Sequence, residues 1–208
     1  MIVKRIAVQD ALETYAYFYI DEKTKHGWLI DAGAEAQKLL NVIKQNDWKI
    51  EAILLTHGHF DHIGAVEKIS KELNIPYLIH LEGKKYLENP QFNLSSFFAH
   101  QIVLNKAEYF DDNDIISLSN DSAKLKVIST PGHTLDSVVF YDEKNHLAFV
   151  GDTIFKAGYG NTQFPGGDEN TLMNSIKNKI FTLPDKTILY SGHSDETTVE
   201  AEKKREWF

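Results

Sequence analysis

The sequence predicts an α+β fold in which two similar strand-rich layers face each other, and three observations carry that expectation. A run of strands followed by a helix occurs once in each half of the 208-residue chain. Four of the expected strands end in a short polar turn holding His or Asp, after Leu55, Ser129, Val150 and Tyr190. The densest of these turns, Thr56 to Gly64, places His57, His59, Asp61 and His62 directly behind the apolar run Ile53-Leu54-Leu55.

Taken in order, Ile2 to Val8 and Tyr15 to Ile20 read as strands, with Tyr15, Tyr17 and Tyr19 alternating on one face. Asp21 to Lys25 is a polar turn before the strand Gly27 to Ile30. Ala34 to Ile43 has helical spacing, closed by Asn46-Asp47 ahead of the strand Ile50 to Leu55. A helix from Ile63 to Leu73, a strand Tyr77 to Ile79 and a short helix Leu81 to Leu87 follow. Asn89 to His100 has no period and reads as a long loop, a kind of segment that is more often functional than idle. Within it, Phe97-Phe98 either walls a substrate pocket or packs in the core. The second half restarts with strands at Tyr109-Phe110, Asp114 to Leu118 and Leu125 to Ser129. A hairpin of Val138 to Tyr141 and Leu147 to Val150 leads to a glycine-containing loop, a helix Glu169 to Ile180, a strand Thr187 to Tyr190 and a last helix Thr198 to Arg205.

Composition narrows the function. Hydrophobic residues at 42% and charged residues at 25% are those of an ordinary globular domain, expected to span residues 1–208 as one unit. No apolar stretch approaches bilayer length and Met1 to Ile6 lacks a signal-peptide core, so no membrane partner and a cytoplasmic location are expected. With no cysteine, any metal is held by nitrogen and oxygen, which suits Zn, Fe or Mn. A net charge of -8 without a basic stripe opposes nucleic-acid binding. Lys203-Lys204-Arg205, interleaved with Glu202 and Glu206, reads as a solvated helix face.

Residues two apart on an extended segment point the same way, so His57 and His59 can reach one ion, with Gly58 leaving the approach open. Asp61 and His62 fall where the chain turns into a helix, which re-aims them beside the first pair. The result is two half-sites that need ligands from elsewhere, and His133, Asp152 and His193 in the other three turns supply them. Each follows a glycine. Alone, Thr130 to His133 is an ordinary turn and Gly151-Asp152-Thr153 a helix cap or Asx turn. Asp31, at the end of another strand, reads equally as a turn residue or, with Thr56, as a group that orients ligand imidazoles by hydrogen bonds. His26, His80, His100 and His146 lie outside the four turns and are expected at the surface or in loops.

The chain resembles the metallo-β-lactamase superfamily, and within it the short single-domain hydroxyacylglutathione hydrolase (glyoxalase II)-like group. The motifs are His-x-His-x-Asp-His at 57 to 62, Thr-Pro-Gly-His-Thr at 130 to 134, Gly-Asp-Thr-Ile-Phe at 151 to 155, Phe-Pro-Gly-Gly at 164 to 167 and Gly-His-x-x-Glu-Thr-Thr from Gly192. The resemblance implies a four-layer αββα sandwich and two divalent metal ions, Zn first among the candidates. His57, His59 and His133 would hold one ion, Asp61, His62 and His193 the other, with Asp152 bridging. It implies a thioesterase acting on hydroxyacylglutathione-like thioesters through a hydroxide shared by the ions, oriented by Asp61 as catalytic residue. The chain stops at Phe208 without the helical extension of two-domain relatives, and Asn161 stands where relatives usually carry Arg or Lys. A neutral amide gives a carboxylate substrate no charge-assisted bond; Lys156 is the remaining cation, solvent-facing by default.

A lactonase or other esterase on the same metal pair is the nearest alternative. A one-iron persulfide dioxygenase would leave the second half-site without purpose, and a nuclease would need basic surface. Outside catalysis, the chain could be a metal-stabilised binding module.

Overall fold

The computed structural model describes residues 1–98 and 100–205, and shows two six-stranded sheets packed face to face with helices on both outer sides. The first sheet runs in chain order: β1 (Ile2–Gln9), β2 (Glu13–Ile20), β3 (His26–Ile30), β4 (Lys49–Leu54), β5 (Tyr77–His80) and β6 (Glu108–Phe110). β1 to β3 are antiparallel; β3 to β6 pair in parallel, with helices in the connections. The second sheet joins β7 (Ile115–Ser117), β8 (Lys124–Ser129), β9 (Val138–Asp142), β10 (Leu147–Gly151), β11 (Ile188–Ser191) and β12 (Thr197–Thr198), also in order, with only β10 and β11 parallel.

Alternation along the strands builds the layers. In the first sheet Phe18, Ile20, Leu29 and Ile53 face α1 (Ala36–Asn46), through Leu39 and Ile43, and the later helix through Val66 and Ile69. Their neighbours Tyr17, Tyr19, Trp28, Ile30 and Leu54 point the other way and meet Leu125, Val127, Val138, Phe140 and Phe149 of the second sheet. Val139, Tyr141, Ala148 and Val150 form the outer face there and pack under Leu172, Ile176 and Ile180. The αββα sandwich therefore follows from a period of two read twice. Each fully buried side chain of this size contributes about 1.5–3 kcal/mol.

Four readings are corrected. The strand at Tyr109-Phe110 belongs to the first sheet, paired in parallel with β5, and does not begin the second. The helix expected over Ile63 to Leu73 is two: α2 (Phe60–Ile63) and α3 (Val66–Leu73), because the Ala65 N–H turns aside to the Ala32 carbonyl at 2.9 Å. After α4 (Gly83–Leu87), the helix expected over Glu169 to Ile180 is regular only as α5 (Glu169–Ser175). It widens at Ile176–Ile180, where the Phe181 N–H bonds the Ile176 carbonyl five residues back. The last helix is shorter, α6 (Val199–Lys203), behind the two-residue β12. Glu206 lies outside the described residues. No helix among those described is long and apolar enough to cross a membrane.

Candidate metal centre

The turns after β4, β8, β10 and β11 meet at one edge of the sandwich and are tied to each other by backbone bonds. The Val138 N–H crosses between sheets to the Thr56 carbonyl (2.9 Å), and the Gly192 N–H bonds the Gly151 carbonyl (2.9 Å). The Tyr15 N–H bonds the Gly192 carbonyl (2.8 Å), which pins the start of β2 to the same place. Gly151 sits at φ 49°, where a Cβ would lie 2.3 Å from Thr56 Oγ1, so the chain can turn there only with glycine.

These turns bring together His57, His59, Asp61, His62, His133, Asp152 and His193. Their ligand atoms form three overlapping groups, within each of which all lie within 4.8 Å of one another: His57, His59 and His133; Asp61, His62 and His193; and His57 with His62 and Asp152. His59 Nδ1 is 2.9 Å from His133 Nε2. Asp152 directs Oδ1 toward His62 Nε2 (3.4 Å) and Oδ2 toward His133 Nε2 (3.6 Å) and His193 Nε2 (3.3 Å), so it stands between the two half-sites. The one-turn helix α2 is what swings Asp61 and His62 back, leaving Asp61 Oδ2 3.1 Å from His193 Nε2.

The outer nitrogens of four imidazoles are spent on the protein. His62 Nδ1 meets Asp31 Oδ2 at 3.0 Å, His133 Nδ1 the Asn161 carbonyl at 2.7 Å, and His193 Nδ1 the Glu13 carbonyl at 2.7 Å. The Thr56 hydroxyl donates to Asp31 Oδ2 (2.7 Å), so His57 Nδ1–H donates to that hydroxyl (3.2 Å). Asp31, at φ 55°, is thus both a turn residue and an acceptor for the site. Each ring turns Nε2 inward, and His57 Nε2, His62 Nε2 and Asp152 Oδ1 are buried without a hydrogen-bond partner. Buried polar atoms left so are costly, and a nitrogen-and-oxygen donor set closing on a small space is what a divalent cation satisfies. The residues fit a pair of such ions.

Protonation follows the same geometry. Burial, then the neighbouring imidazoles, pushes His57 and His59 well below the usual imidazole value, into the neutral form that binds metal. His133 is lowered too, chiefly by burial. Burial acts downward on His62 as well, but the carboxylates of Asp61, Asp152 and Asp31 outweigh it and hold the ring well above its ordinary value. For His193, burial is again outweighed, by Asp152 and Asp61, and the ring is pushed up to about 10. Asp61 and Asp152 are held down by His62 and His193 against the upward effect of burial.

A cavity of about 580 Å³ opens onto this cluster. His59, Asp61, His133, Asp152 and His193 form its floor, and Leu12, Phe60, Leu94, Phe97, Phe98, Phe155 and Phe164 its walls. Phe97-Phe98 therefore lines a pocket. Asn161 also lines it, yet its contribution to the site is the backbone carbonyl on His133; its side-chain oxygen accepts from Gln163 N–H at 2.8 Å. Lys156 does not line the cavity and approaches Asp195 at 3.9 Å. His80 is corrected: it is buried at the end of β5, with Nε2 3.2 Å from Ser129 Oγ. His26, His100 and His146 are away from the cluster.

Four groups escaped the sequence reading. Thr14, buried at the start of β2, donates to Asp61 Oδ2 at 2.9 Å; a hydroxyl heading an aromatic strand was the available signal. The Glu13 and Asn161 carbonyls carry no side-chain signal at all. Asp136, three residues beyond His133, is fully buried beside Gly58, and neither carboxylate oxygen has a partner in full hydrogen-bond geometry. Burial pushes it up to about 7.

The sequence profile of the metallo-β-lactamase superfamily matches residues 10–193. The chain is 31% identical over 210 residues to hydroxyacylglutathione hydrolase GloC of Haemophilus influenzae, covering 98% of this chain and 96% of that one. Its fold superposes on the crystal structure of the BLEG-1 B3 metallo-β-lactamase with a TM-score of 0.92 at 34% identity, over 100% and 99% of the two chains. For TTHA1623 in a di-iron-bound form the TM-score is 0.85 at 28% identity, over 97% of each. With two converging half-sites at the edge of an αββα sandwich, these matches make the chain a metal-dependent hydrolase that belongs to the metallo-β-lactamase superfamily.

Proposed function

We propose that residues 1–208 form one hydrolase domain that cleaves acyl thioesters of the hydroxyacylglutathione kind, with zinc as the working metal. The observation that carries this reading is the pair of half-sites with Asp152 between them, opening on a cavity sized for a small molecule. The likeness to GloC supplies the substrate class, and the di-iron form of TTHA1623 makes iron the alternative metal.

His57, His59 and His133 would hold one cation, and Asp61, His62 and His193 the other, with Asp152 reaching both. Bound there, two divalent cations supply a water of lowered pKa and an electrophile for the acyl oxygen. The chain does the positioning. Asp31, Thr56 and the Glu13 and Asn161 carbonyls fix the tautomer and direction of four imidazoles before any ligand arrives. Thr14 engages Asp61 Oδ2, which leaves Oδ1 to accept the proton of the attacking water. The apolar walls keep bulk water from the acyl carbon and strengthen every charge interaction at the floor.

Hydrolysis of a cyclic acyl bond, in a lactone or β-lactam, is a second reading favoured by the likeness to BLEG-1. Protein reconstituted with zinc, assayed on S-lactoylglutathione, uncharged thioesters, a γ-lactone and a chromogenic β-lactam, separates the two. Thioester cleavage is expected to dominate, and His57→Ala to abolish it while the thermal melt of the metal-free protein stays in place. A metal-loaded protein that turns over no thioester would dispose of the proposal.

A further inference from the structure

The cavity is more particular than the proposed reaction requires. Apart from the metal-binding floor, Asn161 is the one polar residue that lines it among the described residues, and its side-chain oxygen already accepts from the Gln163 N–H. Among the described residues no Lys or Arg lines it. Lys156, which follows the lining Phe155 in the chain, and Arg5 are both offset by acids: Arg5 Nη1 lies 3.2 Å from Asp195 Oδ1 and 3.5 Å from Glu196 Oε2, and Lys156 Nζ 3.9 Å from Asp195 Oδ2. A carboxylate held against these walls, away from the floor, would meet no Lys or Arg among the described lining residues, on a chain with a net charge of -8.

The walls offer something else. Phe97 is 77% exposed, Phe98 42%, Phe164 37% and Leu12 51%, a cluster of large apolar side chains in water around one opening. Phe98 packs on Phe60, the residue between His59 and Asp61, with ring centroids 4.4 Å apart and planes tilted by 37°. Phe164 stands edge-on to His59 at 5.7 Å and Phe155 edge-on to His193 at 5.9 Å. The aromatic wall thus runs from the outer rim down to both half-sites. An apolar group placed beside the reacting carbon would cover it, and the resulting loss of exposed apolar surface favours binding.

We infer that the cavity selects thioesters with an apolar acyl group, alkyl or aryl, and a body free of carboxylates, and that Phe97 and Phe164 determine this specificity. The inference rests on the thioester reading above, keeps its site and reaction, and departs from it on the substrate: S-lactoylglutathione, with a small polar acyl group and carboxylates on its thiol, is expected to be a poor one.

The test is a set of matched thioesters with the zinc-loaded full chain: lactoyl, hexanoyl and phenylacetyl esters of N-acetylcysteamine, and S-lactoylglutathione. The phenylacetyl and hexanoyl esters are expected to exceed S-lactoylglutathione in kcat/KM by tenfold or more. In Phe97→Ser/Phe164→Ser that ratio falls at least fivefold, mainly through KM. A binding measurement needs no turnover: the uncharged fluorophore N-phenyl-1-naphthylamine is expected to bind the metal-free protein and to lose at least fivefold in affinity in the double variant. Both side chains are exposed, so the thermal melt of the variant should match that of the parent. If S-lactoylglutathione is the equal or better substrate, the inference is overturned while the thioester reading stands. An unchanged fluorophore Kd in the double variant overturns the assignment to Phe97 and Phe164. If no thioester is cleaved, both fall together.

Discussion

Three donors converge on the Asp31 carboxylate: the Thr56 amide at 2.8 Å, the Thr56 hydroxyl at 2.7 Å and His62 Nδ1 at 3.0 Å. One side chain therefore orients an imidazole from each half-site, His62 directly and His57 through the hydroxyl. Asp31→Ala strands buried donors at a cost of about 1–3 kcal/mol. It is also expected to weaken metal binding roughly ten- to a hundredfold. Chelator competition reads the second effect, and unchanged affinity would remove Asp31 from the site. Asp136 bears on pH. Its ordinary value of 3.8 is raised to about 7 by burial. The unfolded chain loses that proton as pH rises past 4 while the folded chain keeps it, so stability drains away between pH 4 and 7 and stays lower above. Asp136→Asn lifts this load and is expected to raise stability at pH 7.5, by at most about 4 kcal/mol, with the gain vanishing near pH 4. Urea titrations at the two pH values check it; an equal gain at both would mean the carboxyl is not the cause.

At the scale of the elements, the site is a property of turns and the sheets exist to aim them. Gly192 shows how tight the aim is: a Cβ there would lie 2.4 Å from Asp152 Oδ1 and 2.7 Å from His62 Cε1. Gly192→Ala is expected to displace Asp152 and reduce bound metal from two ions per chain toward one, read by elemental analysis of the folded variant. Full occupancy would mean that the turn has slack. The strands that carry these turns were legible because alternation marks them, as in Tyr17 and Tyr19 against Phe18 and Ile20. What failed was pairing. Glu108–Phe110 is near the second-sheet strands in sequence, but its partner, β5, lies about thirty residues upstream, and no local pattern encodes that choice. The break between α2 and α3 was hidden for the same reason: a carbonyl from the loop after β3 captures the Ala65 amide.

For the whole molecule, two halves of similar build press their inner faces together and leave one edge for chemistry. The seven convergent side chains were visible in sequence because their motifs are dense in His and Asp. Their support was half hidden, since Asp31 and Thr56 announce themselves by type while the Glu13 and Asn161 carbonyls do not. The wall of the cavity was the least legible part, because a phenylalanine reads alike in a core and at a rim until its neighbours are known. A chain holding so many buried ligand groups gains stability from the ions that satisfy them. Zinc at a thousand times its Kd adds about 4 kcal/mol, which for a chain of this length raises Tm by roughly 8–16 °C. Calorimetry of metal-free and reconstituted protein reads that difference, and coincident melts would contradict it.

Counting ions is the most direct check on the paired centre. Protein purified, saturated with zinc and freed of excess should carry two ions per folded chain by mass spectrometric elemental analysis, falling to one or fewer in Asp152→Ala. A well-folded wild-type chain that retains less than one would contradict the account.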